Sequence, residues 1–292
     1  MQIQKSFKGQ SAYGKLYLVA TPIGNLEDMT FRAIQTLKEV SWIAAEDTRN
    51  TGLLLKHFDI PTKQISFHEH NAKEKIPDLI DLLKQGQDVA QVSDAGLPSI
   101  SDPGHDLVKA AILEDIAVVT VPGASAGISA LIASGLAPQP HIFYGFLPRK
   151  SGQQKQFFES KKDYPETQIF YESPHRVADT LENMIEVYGD RSVVLVRELT
   201  KIYEEYQRGH ITELLDSIAE IPLKGECLLI VEGASQEVED KDEEDLFAEI
   251  QARLQQGIKK NQAIKEVAKI YKWNKSQLYA AYHEWEDNQF ND

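Results

Sequence analysis

Cysteine is almost absent: the 292-residue chain has one, Cys227, inside the apolar run "CLLIVEG". A single thiol excludes an internal disulfide framework and any cysteine-rich zinc site, and it reads as a buried strand residue of a cytoplasmic protein. Positive charge is scarce too. The 31 Lys and Arg face 45 Asp and Glu, a formal net charge of −14, which argues against indiscriminate nucleic-acid binding because phosphate contacts need clustered cations. Long apolar spans are missing as well. No Asp, Glu, Lys or Arg occurs from Ile116 to Pro148, but Pro122, Gly123, Gly135 and Pro138 interrupt that stretch. It reads as strand, turn and buried helix rather than as ~20 continuous membrane-spanning residues. The opening "MQIQKSFKGQ" lacks the apolar core of a signal peptide, so a soluble protein without a membrane partner is expected. Two nucleotide-binding signatures are absent: no G-x-G-x-x-G follows the first strand candidate, and no G-x-x-x-x-G-K-[ST] occurs.

What is present alternates. "KLYLVA", "WIAAED", "QISF", "DVAQVS" and "AVVTV" are strand candidates, separated by helical segments around Met29–Val40, Thr51–Phe58, Ala72–Gln85 and His105–Glu114. Continuous β-branched runs between amphipathic helices predict a mainly parallel sheet covered on both faces. A helix over Ser125–Ser134 follows, then "HIFYGF", "TQIFYE", "SVVLVRE" and "ECLLIVEG", with "IYEEYQRG" as an extra strand candidate. This less regular half predicts a mixed sheet. The expected organisation is a first α/β domain over 14–122, a second over 123–235, an acidic linker over 236–245 and a helix-turn-helix-like unit over 246–292. That last unit shows two helical patterns on either side of "YKWN". Between Gln251 and His283 it has 7 Lys or Arg against 1 Glu, so a locally basic surface is expected on an acidic chain, with Lys259, Lys260, Lys265, Lys269, Lys272 and Lys275 exposed.

Several motifs carry chemistry. "VSDAGLPSISDPG" (92–104) packs aspartates, prolines and glycines more densely than a simple chain reversal needs, which suggests a backbone lying close to a bound small molecule. After the first strand, Pro22 and Gly24 can form a tight turn that brings backbone N–H groups toward a ligand. "GASAG" (123–127) matches G-x-S-x-G between strand and helix, but no oxyanion segment or suitably ordered acid accompanies Ser125, so close approach to a ligand is preferred over a hydrolase. His68 and His70 in "HEHN", placed on one face of a strand, make half a zinc site with no further ligands, and no metal is expected. "IFYESPHRV" sets Glu172, His175 and Arg176 at a strand end, with Ser173 and Pro174 as N-cap and first turn of a helix. "LVRELTK" ends another strand with Arg197, Glu198 and Lys201. Two charged strand ends suggest a shared cleft.

"LYLVATPIGNLEDMTFRAIQTL", "AEDTRNTGLLLKHF", "FHEHN", "VSDAGLPSISDPG", "VPGASA", "FYGFLPR", "FYESPHR" and "RELTKIYEE" occur in this order. They make the chain resemble, from about Gly14 to Gly233, the ribosomal-RNA-methylating branch of the tetrapyrrole-methylase-like superfamily. The resemblance implies two α/β domains with S-adenosylmethionine (SAM) in the cleft between them, and a homodimer. The implied reaction is 2′-O-methylation of a cytidine ribose in the decoding region of small-subunit (16S) ribosomal RNA, free or in the assembled subunit. Carried over by motif, Pro22, Ile23, Gly24, Asp94, Ala95, Gly96, Ile100, Ser101, Ser125 and Ala126 border the cofactor, and Phe146 and Leu147 approach from the second domain. Asp94 would sit near the cofactor's ammonium or sulfonium, and Asp102 would cap the following helix. The alternative is a methylase of small-molecule tetrapyrrole precursors, whose loop is commonly G-D-P-like; here it reads D-A-G, which fits the RNA branch. A ribose hydroxyl needs a proton acceptor, for which Glu46, Glu172 and His175 are the leading candidates beside Asp47 and Glu198. Arg49, Arg149, Lys150, Arg176, Lys201, Lys259, Lys260 and Lys272 are the candidate RNA contacts.

Overall fold

The alternating runs of the first half form five short parallel strands: β1 (Leu16–Val19), β2 (Trp42–Ala45), β3 (Lys63–Ser66), β4 (Val89–Val92) and β5 (Val118–Val121). Their order in the sheet is β3-β2-β4-β1-β5. The computed structural model describes residues 3–4, 12–100, 104–220, 222–235, 242–271 and 273–289. Side chains alternate to the two faces of each strand. Val19, Ile43, Ala90 and Val92 pack with α1 (Phe31–Glu39) and α2 (Thr48–His57). Leu16, Ala44 and Val89 pack with α3 (Ala72–Lys84) and α4 (Gly104–Leu113) on the other face. Both faces are covered, so the inner strands are mainly apolar, whereas the edge strand β3 carries Lys63, Gln64 and Ser66. Thr30 caps α1 by accepting from the Ala33 N–H, and Asp47 caps α2 by accepting from the Arg49 N–H.

This topology fixes where loops can gather. β4 lies between β1 and β2. The helices after β1 and β2 pack on one face, whereas the helix after β4 packs on the other. Neighbouring strands whose connections leave to opposite faces open a crevice at their carboxyl ends, and the loop after β4 stands in it.

After α5 (Ala126–Ser134) the second half forms a sheet of β6 (His141–Phe146), β7 (Thr167–Glu172), β8 (Ser192–Arg197), β9 (Glu205–His210) and β10 (Cys227–Val231), in the order β6-β7-β10-β8-β9. β6 and β7 are parallel and every other pair is antiparallel, so the sheet is mixed as expected. The extra candidate "IYEEYQRG" supplies β9, at an edge, where polar residues are tolerated. One face packs under α6 (Ser151–Glu159), α7 (Val177–Tyr188) and α8 (Ile211–Glu220), with Cys227 buried in that core, and the other under α5. Neither α6 nor α8 was read from sequence. The start of α7 differs from expectation: Ser173 and Pro174 lie in a preceding turn, and Arg176 holds the N-cap position. His68 and His70 also fall beyond β3, in the turn before α3, where the His68 N–H donates to Asn71 Oδ1.

Chain contacts divide the protein into one unit ending at Ala234 and another beginning at Ser235. Among the described residues the second has three helices rather than two: α9 (Glu243–Gln255), α10 (Lys260–Ile270) and α11 (Lys275–Gln289). They close over Leu246, Phe247, Ile250, Ile264, Val267, Leu278 and Tyr282. Asp242 caps α9, and Glu243, Glu244 and Asp245 fill its first turn, where negative charge suits the helix dipole. Lys260 is not a free surface cation: its ammonium pairs with Glu286 and lies 5.4 Å from the Tyr282 ring centroid. Lys259, Lys265, Lys269 and Lys275 are exposed, and Lys272 lies outside the described residues. Among the described residues no helix is long and apolar enough to cross a membrane.

Candidate functional site

Three loops meet at the carboxyl ends of β1, β4 and β5. Thr21 and Gly96 exchange backbone bonds, with the Thr21 N–H donating at 3.0 Å and the Gly96 N–H donating back at 3.1 Å. The Thr21 hydroxyl donates to the Ser93 carbonyl at 3.1 Å. Gly96 has φ +76°, a left-handed conformation that favours glycine. A Cβ there would lie 3.3 Å from Ile23 Cγ2 and 3.5 Å from the Ala124 carbonyl oxygen. At Gly123 a Cβ would come within 2.7 Å of Ala20 Cβ. The turn 22–24, the Ala95–Gly96 segment and the 123–125 turn are therefore in close contact: a side chain at Gly123 would collide with Ala20, and one at Gly96 would be disfavoured by the left-handed backbone and sit tight against Ile23. Ser99 also holds a left-handed φ of +72°, a conformation non-glycine residues adopt mainly in constrained, often functional, loops. Ile100 is 60% exposed at the loop's edge. Ser101 and Asp102 lie outside the described residues.

The second sheet closes on this junction. Ser125 is the N-cap of α5, with its hydroxyl making no capping bond. The Gly127 backbone bonds to the Tyr171 phenol, whose burial raises its pKa. The Tyr171 ring stands edge-on to Phe143 at 4.9 Å and to Phe146 at 5.5 Å. Phe146 is 67% exposed while Leu147 is buried. Tyr171, which sequence reasoning missed, thus links Phe146 to the first turn of α5 beside Ala126, whereas Leu147 packs in the core on the other face of the sheet. From the other side, the β8–β9 loop presses on the first turn: a Cβ on Gly24 would lie 2.6 Å from Lys201 Cγ and 3.1 Å from the Leu199 carbonyl oxygen. Lys201 pairs with Glu198 and Glu226, each at 3.0 Å. The Glu226 N–H and Lys201 hold the Glu198 carboxyl below the usual carboxylate range.

The charged candidates separate by their partners. The Glu172 side chain is fully buried: one oxygen accepts from the Ser173 N–H at 2.8 Å and pairs with Arg176 at 3.2 Å, and the other accepts from the Thr180 hydroxyl at 2.9 Å. Arg176 also donates to the Pro148 carbonyl at 2.7 Å. This is an anchor tying the loop after β7 to the loop after β6, not an accessible base. His175, Arg149 and Lys150 are exposed. Glu46 accepts from the Asp94 N–H at 3.2 Å, and the Asp94 carboxylate accepts from the Asp47 N–H and Asn50 Nδ2, each at 3.2 Å. Asp47 forms a two-pronged pair with Arg49, which holds its carboxyl far below the usual range.

Beside Asp94 opens a cleft of about 330 Å³ between the Pro22–Leu26 turn, the α2 residues Asn50, Leu53, Leu54 and His57, and Ser93. Sequence reasoning named Pro22, Gly24 and Asp94 but not the α2 wall. A signal existed in "GLLLKHF": three consecutive leucines on a helix cannot all face one core. Leu55 is buried whereas Leu53 is 72% exposed at the cleft.

Residues 15–215 match the model of the tetrapyrrole (corrin/porphyrin) methylases. The chain is 71% identical over 286 residues to a ribosomal RNA small subunit methyltransferase I of Streptococcus pyogenes serotype M1, covering 97% of this chain and 100% of that one. It is 49% identical to the protein of the same name from Bacillus subtilis strain 168, covering 96% and 98%. Uroporphyrin-III C-methyl transferase from Thermus thermophilus, solved with S-adenyl homocysteine, shares the fold with a TM-score of 0.51 at 19% identity, over 75% of this chain and 97% of that one. By these matches the chain belongs to the tetrapyrrole methylase family, among the ribosomal RNA small subunit methyltransferase I proteins.

Proposed function

We propose that this chain transfers the methyl group of SAM to the 2′-oxygen of a cytidine ribose in the decoding region of 16S ribosomal RNA, as a cytoplasmic homodimer. The observation that carries the reading is the junction at β1, β4 and β5, where Gly123 leaves no room for a Cβ and Gly96 turns through a left-handed φ of +76°, so backbone itself forms the wall. The turn Pro22–Ile23–Gly24, the Ala95–Gly96 segment, Ile100, Ser125 and Ala126 form one side, and Phe146 the other. Such a cradle fits SAM. Backbone N–H groups at the start of α5 suit its carboxylate, and the exposed Phe146 ring offers a face to an apolar or cationic group. The methyltransferase names of the relatives, and the S-adenyl homocysteine in a protein of this fold, support the same donor.

Bound SAM supplies an electrophilic methyl on sulfur. What the chain supplies is alignment, which can lower such a barrier by ~7–11 kcal/mol. The rigid first turn, pinned by Thr21 on one side and Lys201 on the other, is suited to that task. Arg49, Arg149 and Lys150 rim the first unit as phosphate contacts, and Lys259 with its exposed neighbours serves in the second. Arg176, Lys201 and Lys260 leave that set, because each is held by internal carboxylates. Glu172 likewise becomes a positioning residue.

The test is methyl incorporation from labelled SAM into purified small subunits lacking 2′-O-methylation. Label confined to one decoding-region cytidine supports the reading. No label despite measurable SAM binding, or label entering a porphyrin precursor instead, overturns it.

A further inference from the structure

We infer that the cleft between the first turn, α2 and Ser93–Asp94 receives the acceptor nucleoside, and that the Asp94 carboxylate is the general base for its hydroxyl. The inference rests on the RNA-methylating reading above and gives Asp94 a different role from that of a cofactor contact.

The loop after β4 has two sides. Its Ala95–Gly96 backbone turns toward Thr21, Ile23 and Ala124. Its Asp94 side chain turns toward the first turn of α2, where Asp47 and Asn50 donate to it, and it lines the cleft. A molecule cradled on the backbone side and another seated in the cleft would meet across this loop, as an in-line displacement requires. A cleft of about 330 Å³ is at the small end of ligand pockets, which run ~300–1,000 Å³, and so suits one nucleoside rather than a macrocycle. Its walls have the character a nucleoside needs. Pro22, Leu26, Leu53 and Leu54 offer apolar surface, with Leu26 and Leu53 left 42% and 72% exposed. Asn50 and Asp94 place a donor and an acceptor at its polar end.

The other carboxylates are committed elsewhere. Glu172 is saturated by Ser173, Thr180 and Arg176. Asp47 is bound by Arg49 and caps α2, Glu198 is held by Lys201 and the Glu226 N–H, and Glu46 supports the Asp94 backbone. Asp94 accepts two long bonds, and an ionised carboxylate has about four lone-pair sites, so it retains capacity for the hydroxyl proton. In the step, the proton passes from the 2′-hydroxyl to an Asp94 oxygen. The hydroxyl oxygen's electron pair forms the new bond to the methyl carbon, and the sulfur–methyl pair stays on sulfur, leaving a neutral thioether.

The test uses full-length protein and the variants Asp94→Asn and Leu53→Trp, with three readouts: SAM affinity by calorimetry, the acceptor KM from rates at varied small-subunit concentration, and single-turnover methyl transfer. Asp94→Asn should slow transfer by ~10²–10⁴-fold while SAM affinity stays within about threefold of wild type. Leu53→Trp, at a solvent-facing position that folding does not depend on, should fill the cleft and raise the acceptor KM by roughly tenfold or more with SAM affinity unchanged. The inference is overturned if Asp94→Asn keeps its transfer rate, if it loses SAM affinity in parallel with rate, or if Leu53→Trp leaves the acceptor KM unmoved. An inactive wild type would remove the functional reading and this inference with it, whereas an active wild type beside an active Asp94→Asn removes the inference alone.

Discussion

Glu172 is where sequence and structure disagree most about a role, and the disagreement can be measured. Replacing it by Ala removes a buried carboxylate and leaves the Ser173 N–H, the Thr180 hydroxyl and the Arg176 guanidinium without their acceptor. Removing one partner of a buried pair costs about 3–5 kcal/mol. The Arg176 side chain is 28% exposed, so solvent screens its share and the lower part of that range applies, about 3–4 kcal/mol. For a folding unit of this size, each kcal/mol moves the transition by about 2–4 °C, so Tm should fall by roughly 6–16 °C. Glu172→Gln keeps an oxygen for the Ser173 N–H but loses the charge facing Arg176, a loss of about 1.5–3 kcal/mol. The assay pairs thermal unfolding with methyl transfer well below both transitions. Both variants should be less stable, and Glu172→Gln should retain turnover within a few-fold of wild type. An anchoring role for Glu172 is refuted if Glu172→Gln melts like wild type yet loses ~100-fold or more in turnover at saturating SAM, the signature of a lost proton-transfer group.

Gly24→Ala would set a methyl 2.6 Å from Lys201 Cγ and 3.1 Å from the Leu199 carbonyl oxygen. Such overpacking costs about 1–3 kcal/mol and should lower both Tm and SAM affinity; wild-type values for both would show that the turn is not clamped. Burial pushes the Cys227 thiol up to about 11, so at pH 8 roughly one thiol in a thousand is ionised. A disulfide reagent should therefore label native protein far more slowly than urea-unfolded protein, and equal rates would contradict the buried assignment. The Asp47 carboxyl is lowered from its ordinary 3.8 by the Arg49 side chain and the α2 backbone. A depressed carboxyl contributes stability that is complete above its unfolded value and is lost as pH falls through the folded one. Asp47→Asn should thus lower the urea midpoint at neutral pH, with the gap to wild type closing only below about pH 4; a gap that closes above pH 5 would refute the pairing.

The first sheet was legible because its physics is local. Strands buried on both faces are mostly apolar, as β4 is from Val89 to Val92 with Gln91 the exception, and the amphipathic helices between them announce the crossovers. The second half hid more. The α8 helix follows directly on β9, so no linker residues mark the change. In the tail, α9 begins inside the acidic run, where a density of Asp and Glu reads as linker although it is a capped first turn. Glu172 was singled out as a proton acceptor, whereas its partners make it an anchor. A carboxylate at a strand end before a helix has the same sequence whether it meets a substrate or is buried under Arg176, and only the packing of Thr180 and Pro148 around it decides.

The dense loop after β4 admits a physical account of its composition. It stands where β4, flanked by β1 and β2, sends its helix to the face opposite theirs. Any chain there is approached from both sides at once. On the β1 side the chain bonds to the Thr21 backbone and passes Ile23 and Ala124 in a left-handed turn of φ +76°, hence glycine at 96. On the β2 side the α2 N-terminus offers unpaired N–H groups, hence a carboxylate at 94 that accepts from the Asp47 N–H. The two demands fall on residues two apart, too close for ordinary side chains to serve both. The alternation of aspartate and glycine is therefore set by topology before any ligand is considered. A ligand would exploit it: backbone donors on one side and a charged acceptor on the other are the two things a transfer between two bound molecules needs.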